Sequence, residues 1–200
     1  RDKGLLMMGP DCGTAIINGE PICFANVVPR GPIGIVAASG TGLQEVSCAI
    51  AKAGSGVSQA LGTGGRDIKD EAVGGMMMLQ CIEALGADPE TKVIVVVSKP
   101  PKASLTPRVI EALEKTGKPA VVHFVGTEPE TAAGNVTYAG NLTAAARMAV
   151  AVAARGLAGS GAAGTAASAT AGASGAGAAG SGAAGVPADP DREYDFPQDE

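Results

Sequence analysis

Short apolar runs alternate with longer stretches of helical periodicity across residues 33–155. The runs predict buried strands, because they are too short for helices and the valines of 93–97 suit a strand that is covered on both faces. These strands are predicted at 33–36, 57–61, 93–97 and 120–124. Apolar residues at helical spacing predict the intervening helices, at 42–53, 76–85, 105–119 with a stop at Gly117, and 142–155. Regular alternation of strand and helix is typical of an α/β fold with a parallel sheet.

The two ends of the chain do not follow this pattern. Residues 1–4 resemble a glycine-capped helix end, and a short predicted strand at 5–8 follows before the turn GPDCG. We interpret residues 1–30 as the last strand of an upstream domain plus a connector, and the chain as a piece of a longer protein. From Ala158 to Gly185 every residue is Ala, Gly, Ser or Thr, which predicts a flexible linker over 156–185. The last segment, 186–200, is predicted to be a solvated acidic tail or the start of another domain.

Charge and composition exclude several classes of function. The net charge of −5 comes from the acidic tail, and the charges of the rest of the chain balance. We therefore expect no basic face for nucleic acid. No apolar run approaches the roughly 20 residues that span a bilayer. The four cysteines lack CxxC spacing, and the one histidine is far from them in sequence. We therefore expect no metal site, and a reduced, cytoplasmic protein.

Three loops with anion-binding character follow consecutive predicted strands. The first, Ser39-Gly40-Thr41-Gly42, opens a helix; Thr41 with Gln44 fits a capping box, and the two glycines would allow close approach to the backbone amides. The second contains Gly64, Gly65 and Arg66, and the third begins at Lys99. Each has a structural alternative: a tight turn for the first, an ion pair of Arg66 with Asp67 or Asp70, and a solvated strand end for Lys99. Because the carboxyl ends of parallel strands meet at one edge, we predict an anion site there.

His123 lies inside the predicted strand 120–124. A lone histidine in a strand is typical of a packed or edge residue rather than a catalytic one. We therefore leave it out of the predicted site.

Several motifs together resemble the FdrA family of acyl-CoA-synthetase-like proteins, within the superfamily of the succinyl-CoA synthetase α subunit. The motifs, in order, are KGLLMMGPDCGTAII, FANVVPRGPIGIVAASGTGLQE, GTGGRDI, ADPETKVIVVVSKPP and TGKPAVVHFVG. The resemblance implies a flavodoxin-like domain over 31–155, preceded by the end of a Rossmann-like CoA-binding domain. That CoA domain would be represented by the turn Gly9, Pro10, Asp11, Cys12 and Gly13. It also implies that the turn at Ser39 opens the helix that receives a phosphohistidine in the synthetases.

Two departures from the synthetase pattern bear on chemistry. Where the synthetases have Gly-His-Ala-Gly, this chain has Tyr138 in place of the histidine, and Lys99 aligns with the carboxylate that steadies it. The site has therefore lost a nucleophile and gained a cation, which suits the binding of an acyl or carbamoyl phosphate. The FdrA resemblance implies carbamoyl transfer in allantoin catabolism, with partner subunits in a hetero-oligomer and CoA as a possible ligand. Catalytic roles are assigned to Lys99 and Arg66.

Two alternatives remain open from the sequence. One is a nucleotide-dependent acyl-CoA ligase of the succinyl-CoA type, which would need another phosphoryl carrier. The other is a non-catalytic assembly or CoA-sensing subunit, suggested by the missing histidine. The 200-residue piece is expected to be inactive alone.

Overall fold

The computed structural model describes residues 12–127 and 132–163, and for 157–163 the helical backbone alone. The elements in chain order are β1 Thr14–Ile17, β2 Glu20–Cys23, β3 Arg30–Ala37, α1 Gly40–Lys52, β4 Val57–Gly62, α2 Met76–Ala87, β5 Val93–Ser98, α3 Thr106–Thr116, β6 Ala120–Phe124, β7 Val136–Tyr138 and α4 Leu142–Ala163. The predicted strand at 5–8, residues 164–185 of the predicted linker and the acidic tail lie outside the described residues. The linker prediction is wrong for 156–163, where the backbone continues α4. The domain boundaries stay a prediction.

The strands form one seven-stranded sheet in the order β2-β1-β4-β3-β5-β6-β7. Strands β3 to β7 are mutually parallel, whereas β1 is antiparallel to both β2 and β4. The order β4-β3-β5-β6-β7 means that the chain winds first to one side of β3 and then to the other. The predicted α/β fold with a parallel sheet is therefore confirmed, and its topological switch point lies between β3 and β5.

Helices cover both faces of the sheet, and this explains the unbroken apolar strands. On one face α1 and α4 pack over the odd-numbered valines of β5, Val93, Val95 and Val97. On the other face α2 and α3 pack over Ile94 and Val96. Every side chain of β5 is consequently buried, as the valine run predicts. Burial of each such side chain stabilises the fold by about 1.5–3 kcal/mol.

Three strand segments were not predicted from the sequence. Strands β1 and β2 form a hairpin whose tight turn places Asn18 at φ +51° and Gly19 at φ +86°. All four residues of β2 are exposed and one is Pro21, so no buried apolar run marks it. Strand β7 has three residues, too few for a periodic pattern. Strands β1 and β7 pair with the edges of β4 and β6, which is information that a local sequence window does not contain. Strand β2 pairs with β1, and the Asn18-Gly19 turn between them is the local signal that could have predicted this hairpin.

Candidate functional site

Three predicted site segments leave the sheet side by side at its carboxyl edge. Ala37 of β3 pairs in register with Gly62 of β4 and with Val97 of β5. Each predicted segment lies two residues beyond one member of this row, at Gly64, Ser39 and Lys99. Neighbouring strands are about 4.8 Å apart, so the three segments start within about 10 Å of one another. The sheet register therefore brings them together at the switch point.

Helix α1 directs its amino end at this edge. Ser39 is the N-cap: its Oγ accepts a hydrogen bond from the amide of Gly42 at 3.2 Å, and its carbonyl accepts one from the amide of Leu43 at 2.9 Å. Gly40 and Thr41 are exposed, and their amides lie in the first turn, where a helix supplies no acceptor. These N–H groups and the helix dipole favour an anion at this position.

The capping box predicted for Thr41 and Gln44 is wrong. The cap is Ser39, two residues earlier, and a capping box with Ser39 would require Glu or Gln at Gly42. Gln44 instead donates from Nε2 to the carbonyl of Phe24 at 2.5 Å. It therefore ties α1 to the segment after β2 rather than to its own first turn.

The two glycines of this turn have different roles. A Cβ at Gly42 would lie 2.8 Å from Cγ1 of Val97, inside the buried contact between α1 and β5. A Cβ at Gly40 would meet nothing closer than Oγ1 of Thr14 at 3.4 Å. Gly42 is therefore required for packing, as in the tight-turn alternative, whereas Gly40 stands at the exposed edge beside the first-turn amides.

The first residue after β4 extends the β3–β4 pairing before the loop leaves the sheet. The amide of Thr63 donates to the carbonyl of Ala37 at 2.9 Å, which extends the β3–β4 pairing by one residue. Gly64 then adopts φ +82°, a left-handed conformation that favours glycine. Gly64 is buried and Gly65 is partly buried, so the backbone of this loop lies close to the end of β3.

Arg66 is exposed in the turn that follows. Its carbonyl accepts hydrogen bonds from the amides of Lys69 and Asp70 at 3.2 and 3.1 Å. Across residues 12–127 and 132–163, its guanidinium is in no recorded ion pair or hydrogen bond. Within those ranges, the alternative of an ion pair with Asp67 or Asp70 is therefore not found, and no side-chain hydrogen bond or ion pair joins Arg66 to Ser39 or Lys99.

Asp67 has a structural role that the sequence did not indicate. Its carboxylate is buried and accepts hydrogen bonds from the amides of Met77 and Met78 at 2.8 and 2.9 Å. Helix α2 begins with Gly75 as its N-cap, which supplies no side-chain acceptor, so Asp67 completes the cap from ten residues away. Burial raises the pKa of Asp67, although the two backbone hydrogen bonds act in the opposite direction.

Lys99 lies directly after β5 and is exposed. Its carbonyl accepts a hydrogen bond from Oγ of the buried Ser98 at 2.6 Å, which fixes the backbone where the strand ends. Pro100 and Pro101 stiffen the next two positions. In the described part of the chain, the ammonium of Lys99 forms no ion pair, so it is available to an anion at this edge.

Tyr138, which the family resemblance aligns with the phosphohistidine, lies on a strand away from α1 in the sheet order. Tyr138 ends β7, three strands from β3, and packs against the cluster beneath α2 and α3. His123, by contrast, lies on the face covered by α4 and is 6% exposed, and its Nδ1 is 2.8 Å from the carbonyl oxygen of Ala139.

The turn assigned to CoA by resemblance is only partly described, since Gly9, Pro10 and Asp11 lie outside the described residues. Cys12 donates weakly from Sγ to the carbonyl of Thr14 at 3.7 Å. The carbonyl of Gly13 accepts the amide of Phe24 at 2.9 Å. Both residues thus hold the β1–β2 hairpin in place. A role of this turn in CoA binding stays a prediction.

Sequence and structure comparisons place these observations among known proteins. No family model matches the chain. It is 56% identical to protein YahF of Escherichia coli (strain K12) over 124 residues, which are 62% of this chain and 24% of that protein. It is 35% identical to the α subunit of an ADP-forming succinate–CoA ligase of Aquifex aeolicus, over 46% of this chain and 30% of the subunit. The ATP citrate lyase of Methanosaeta concilii shares the fold, with a TM-score of 0.59 at 17% identity over 76% of this chain and 31% of that one.

These similarities support a relationship between this chain and the superfamily of the succinyl-CoA synthetase α subunit and acyl-CoA synthetases. The chain spans about a quarter to a third of the length of these relatives. The narrower FdrA assignment and the activity of the whole protein are therefore matters for proposal.

The described residues also bear on membrane insertion and metal binding. No helix among them is both long and apolar enough to cross a bilayer. No group of three or more His, Cys, Asp or Glu side chains in the described ranges could hold a metal ion.

Proposed function

We propose that this chain is part of an enzyme of the FdrA type that binds an acyl or carbamoyl phosphate at the amino end of α1. The observation that carries the proposal is the register row, which sets the Ser39-capped helix end beside Lys99 at the switch point. Tyr138 supports it, because the position that would carry a phosphohistidine holds a residue that packs on the opposite face.

The site would act by holding charge rather than by forming a covalent intermediate. The first-turn amides of Gly40 and Thr41 would donate to phosphoryl oxygens, and the Lys99 ammonium would neutralise the dianion. The backbone around Gly64 and Gly65 would border the opposite side. Arg66 would join the site only if its exposed side chain turned toward the bound anion.

Carbamoyl transfer is a reaction that such a site could support. A phosphate oxygen attacks the terminal ureido carbonyl of oxalurate, a C–O bond forms, and the C–N bond to the oxamate nitrogen breaks. The proton of the attacking phosphate ends on that nitrogen, which gives carbamoyl phosphate and oxamate. Donors at the amino end of α1 would stabilise the negative charge that develops on the reacting group.

The first test is phosphate binding to the 200-residue chain, measured by calorimetry. We expect Lys99→Ala to weaken binding of inorganic phosphate about tenfold, the effect of losing one charge-assisted hydrogen bond. Lys102→Ala is the matched control, because Lys102 is an exposed lysine of the same loop whose Nζ already pairs with Glu71 at 3.2 Å. Equal phosphate affinities for wild type, Lys99→Ala and Arg66→Ala would contradict the proposed phosphate site.

The second test is carbamoyl transfer to oxamate, with the full-length protein and its partner subunits. Loss of turnover in Lys99→Ala, with turnover kept in Lys102→Ala, is the expected result. Wild-type turnover in a Lys99→Ala/Arg66→Ala double variant would instead favour a non-catalytic subunit.

A nucleotide-dependent acyl-CoA ligase is the second candidate, favoured by the similarity to the succinate–CoA ligase α subunit. It would use CoA and partner subunits, and would need a phosphoryl carrier outside the positions discussed above. Incubation of the full-length protein with labelled nucleoside triphosphate separates the two candidates. An acid-labile phosphoenzyme supports the ligase, whereas its absence alongside carbamoyl transfer supports the first proposal.

A further inference from the structure

A second pocket opens at the carboxyl end of β6, beside the first two turns of α4. It measures about 760 Å³, and its lining combines polar groups with the apolar side chains of Leu142 and Met148. No Asp or Glu occurs among its described lining residues. The pocket is not part of the anion site at α1, and none of the predicted site residues that the structure describes lines it.

His123 is one of the residues that line this pocket. The carbonyl of Ala139 can only accept a hydrogen bond, so Nδ1 at 2.8 Å must carry a proton and donate it. This bond fixes the ring, and in the neutral form it leaves Nε2 with a free lone pair. The side chain is 94% buried by the protein, lines the pocket, and has no recorded partner at Nε2 among the described residues. A hydrogen-bond acceptor is thus held at the pocket floor.

Positive potential comes from two other features of the lining. Asn141 caps α4, with Oδ1 accepting the amide of Ala144 at 2.8 Å, so the amides of Leu142 and Thr143 have no acceptor in the helix. Arg147 lies one turn further along α4 and also lines the pocket. In the described residues its guanidinium forms no ion pair. The helix end and Arg147 together favour a carboxylate.

We propose that this pocket binds a small carboxylic acid that carries a hydroxyl or amide N–H close to its carboxylate. The carboxylate lies against the first turn of α4 and Arg147, and the hydroxyl or amide donates to Nε2 of His123. A simple anion satisfies the helix end but leaves Nε2 unpaired. The pocket therefore distinguishes hydroxy and amide acids from acids that lack a donor. The proposal does not rest on the phosphate site at α1.

The test compares glycolate with acetate, which differ by one hydroxyl. The chain has a single histidine, so a ¹⁵N-histidine-labelled sample gives one pair of ring nitrogen signals. We expect glycolate to shift the Nε2 signal and to bind about tenfold more tightly than acetate, the effect of one added hydrogen bond to a buried acceptor. Equal affinities, or a glycolate titration that leaves Nε2 unchanged, would overturn the proposal.

Two variants and one control separate the contributions of Arg147 and His123 to acid binding, which is measured by calorimetry. Arg147→Gln should weaken binding of both acids about tenfold. Arg155→Gln, which removes the same charge from an exposed position two turns further along α4, should change it less than about twofold. His123→Asn keeps a donor for the Ala139 carbonyl but lacks Nε2, so it should abolish the preference for glycolate while acetate still binds.

Folding is checked by urea denaturation of each variant. Because Arg147 is exposed, its variant is expected to fold, and an unchanged affinity in Arg147→Gln would contradict the proposal even if His123→Asn were unstable. An equal loss in Arg147→Gln and Arg155→Gln would show a general charge effect and would also reject it.

Discussion

Gly42 allows α1 to lie close to β5 at the place where the phosphate site is proposed. Its missing methyl group faces Cγ1 of Val97, which belongs to the register row beneath the site. The amide of the same residue is held by Ser39. A local loss of contact here would therefore move the N-cap and the first-turn amides together.

We predict that Gly42→Ala lowers the free energy of unfolding by about 1–3 kcal/mol, because an added methyl overpacks the contact with Val97. The higher helix propensity of alanine, worth about 1 kcal/mol, does not offset this fully. Gly40→Ala, with 3.4 Å to its nearest neighbour, should stay within about 0.5 kcal/mol of the wild type. Urea denaturation of the two variants provides the measurement, and equal values would contradict the packing role of Gly42.

Lys118 connects two helices and a strand on the other side of the sheet. It follows α3, precedes β6, and donates from Nζ to the carbonyls of Leu85 and Asp88 at 2.7 and 2.6 Å. These carbonyls belong to the end of α2, where a helix lacks its own donors. Partial burial lowers the pKa of Lys118, while the nearby Asp88 carboxylate acts in the opposite direction.

Lys118→Ala should therefore cost about 1 kcal/mol of stability, since two carbonyls lose a charged donor but water can partly replace it. Lys115 provides the comparison, because its ion pair with Glu111 at 2.7 Å is exposed and lies within one helix. Lys115→Ala should cost less than about 0.5 kcal/mol. Thermal or urea unfolding measures the stability of both variants. Similar losses of stability in Lys118→Ala and Lys115→Ala would mean that Lys118 does not cap α2.

At the scale of the whole molecule, the sequence predicted the central sheet and missed its edges. The buried strands at 93–97 and 120–124 were found because burial on both faces leaves an unbroken apolar run. Three helix ends were placed within three residues, and Gly117 is the predicted stop, at φ +67°. Helix α4 instead continues to Ala163, eight residues beyond its predicted end. Strands β1 and β7 depend on pairing with β4 and β6, which no local pattern shows, whereas β2 pairs with β1 across the local Asn18-Gly19 turn.

The site shows the same division between local and distant information. The three strand ends converge as predicted because parallel topology alone requires it. The buried Asp67 and the pocket at His123 were missed, since each depends on contacts made ten or more residues away. From the local sequence, Arg66 is a possible ion-pair partner of Asp67. In the fold, Asp67 instead accepts hydrogen bonds from backbone amides of α2.

Asp67 should give the stability of the whole fold a characteristic pH dependence. Its pKa is raised by burial above the ordinary value of 3.8, so just above pH 3.8 the folded chain holds more protons than the unfolded chain. The stability contributed by the protonated carboxyl is therefore fully present below pH 3.8 and is lost as pH rises through the folded pKa. Asp67→Asn lacks this group, so wild type should lose stability relative to the variant over that window.

Denaturation of wild type and Asp67→Asn at a series of pH values checks this expectation. Asp70→Asn is the control, because Asp70 is exposed in the same loop and its Oδ1 accepts only the nearby amide of Ala72 among the recorded side-chain bonds. If the difference in free energy of unfolding between wild type and Asp67→Asn stays constant with pH, the predicted effect of Asp67 is contradicted.

The outer strands have a consequence for self-association. Among the described strands, β2 and β7 form the two edges of the sheet, with four and three residues. Pro21 removes a backbone donor from β2. Short edges and a proline make a poor template for adding strands from another molecule, and long exposed edges are what seed fibrils. We therefore expect contacts with other chains to use helices and loops, and the sheet itself to resist growth into amyloid-like stacks.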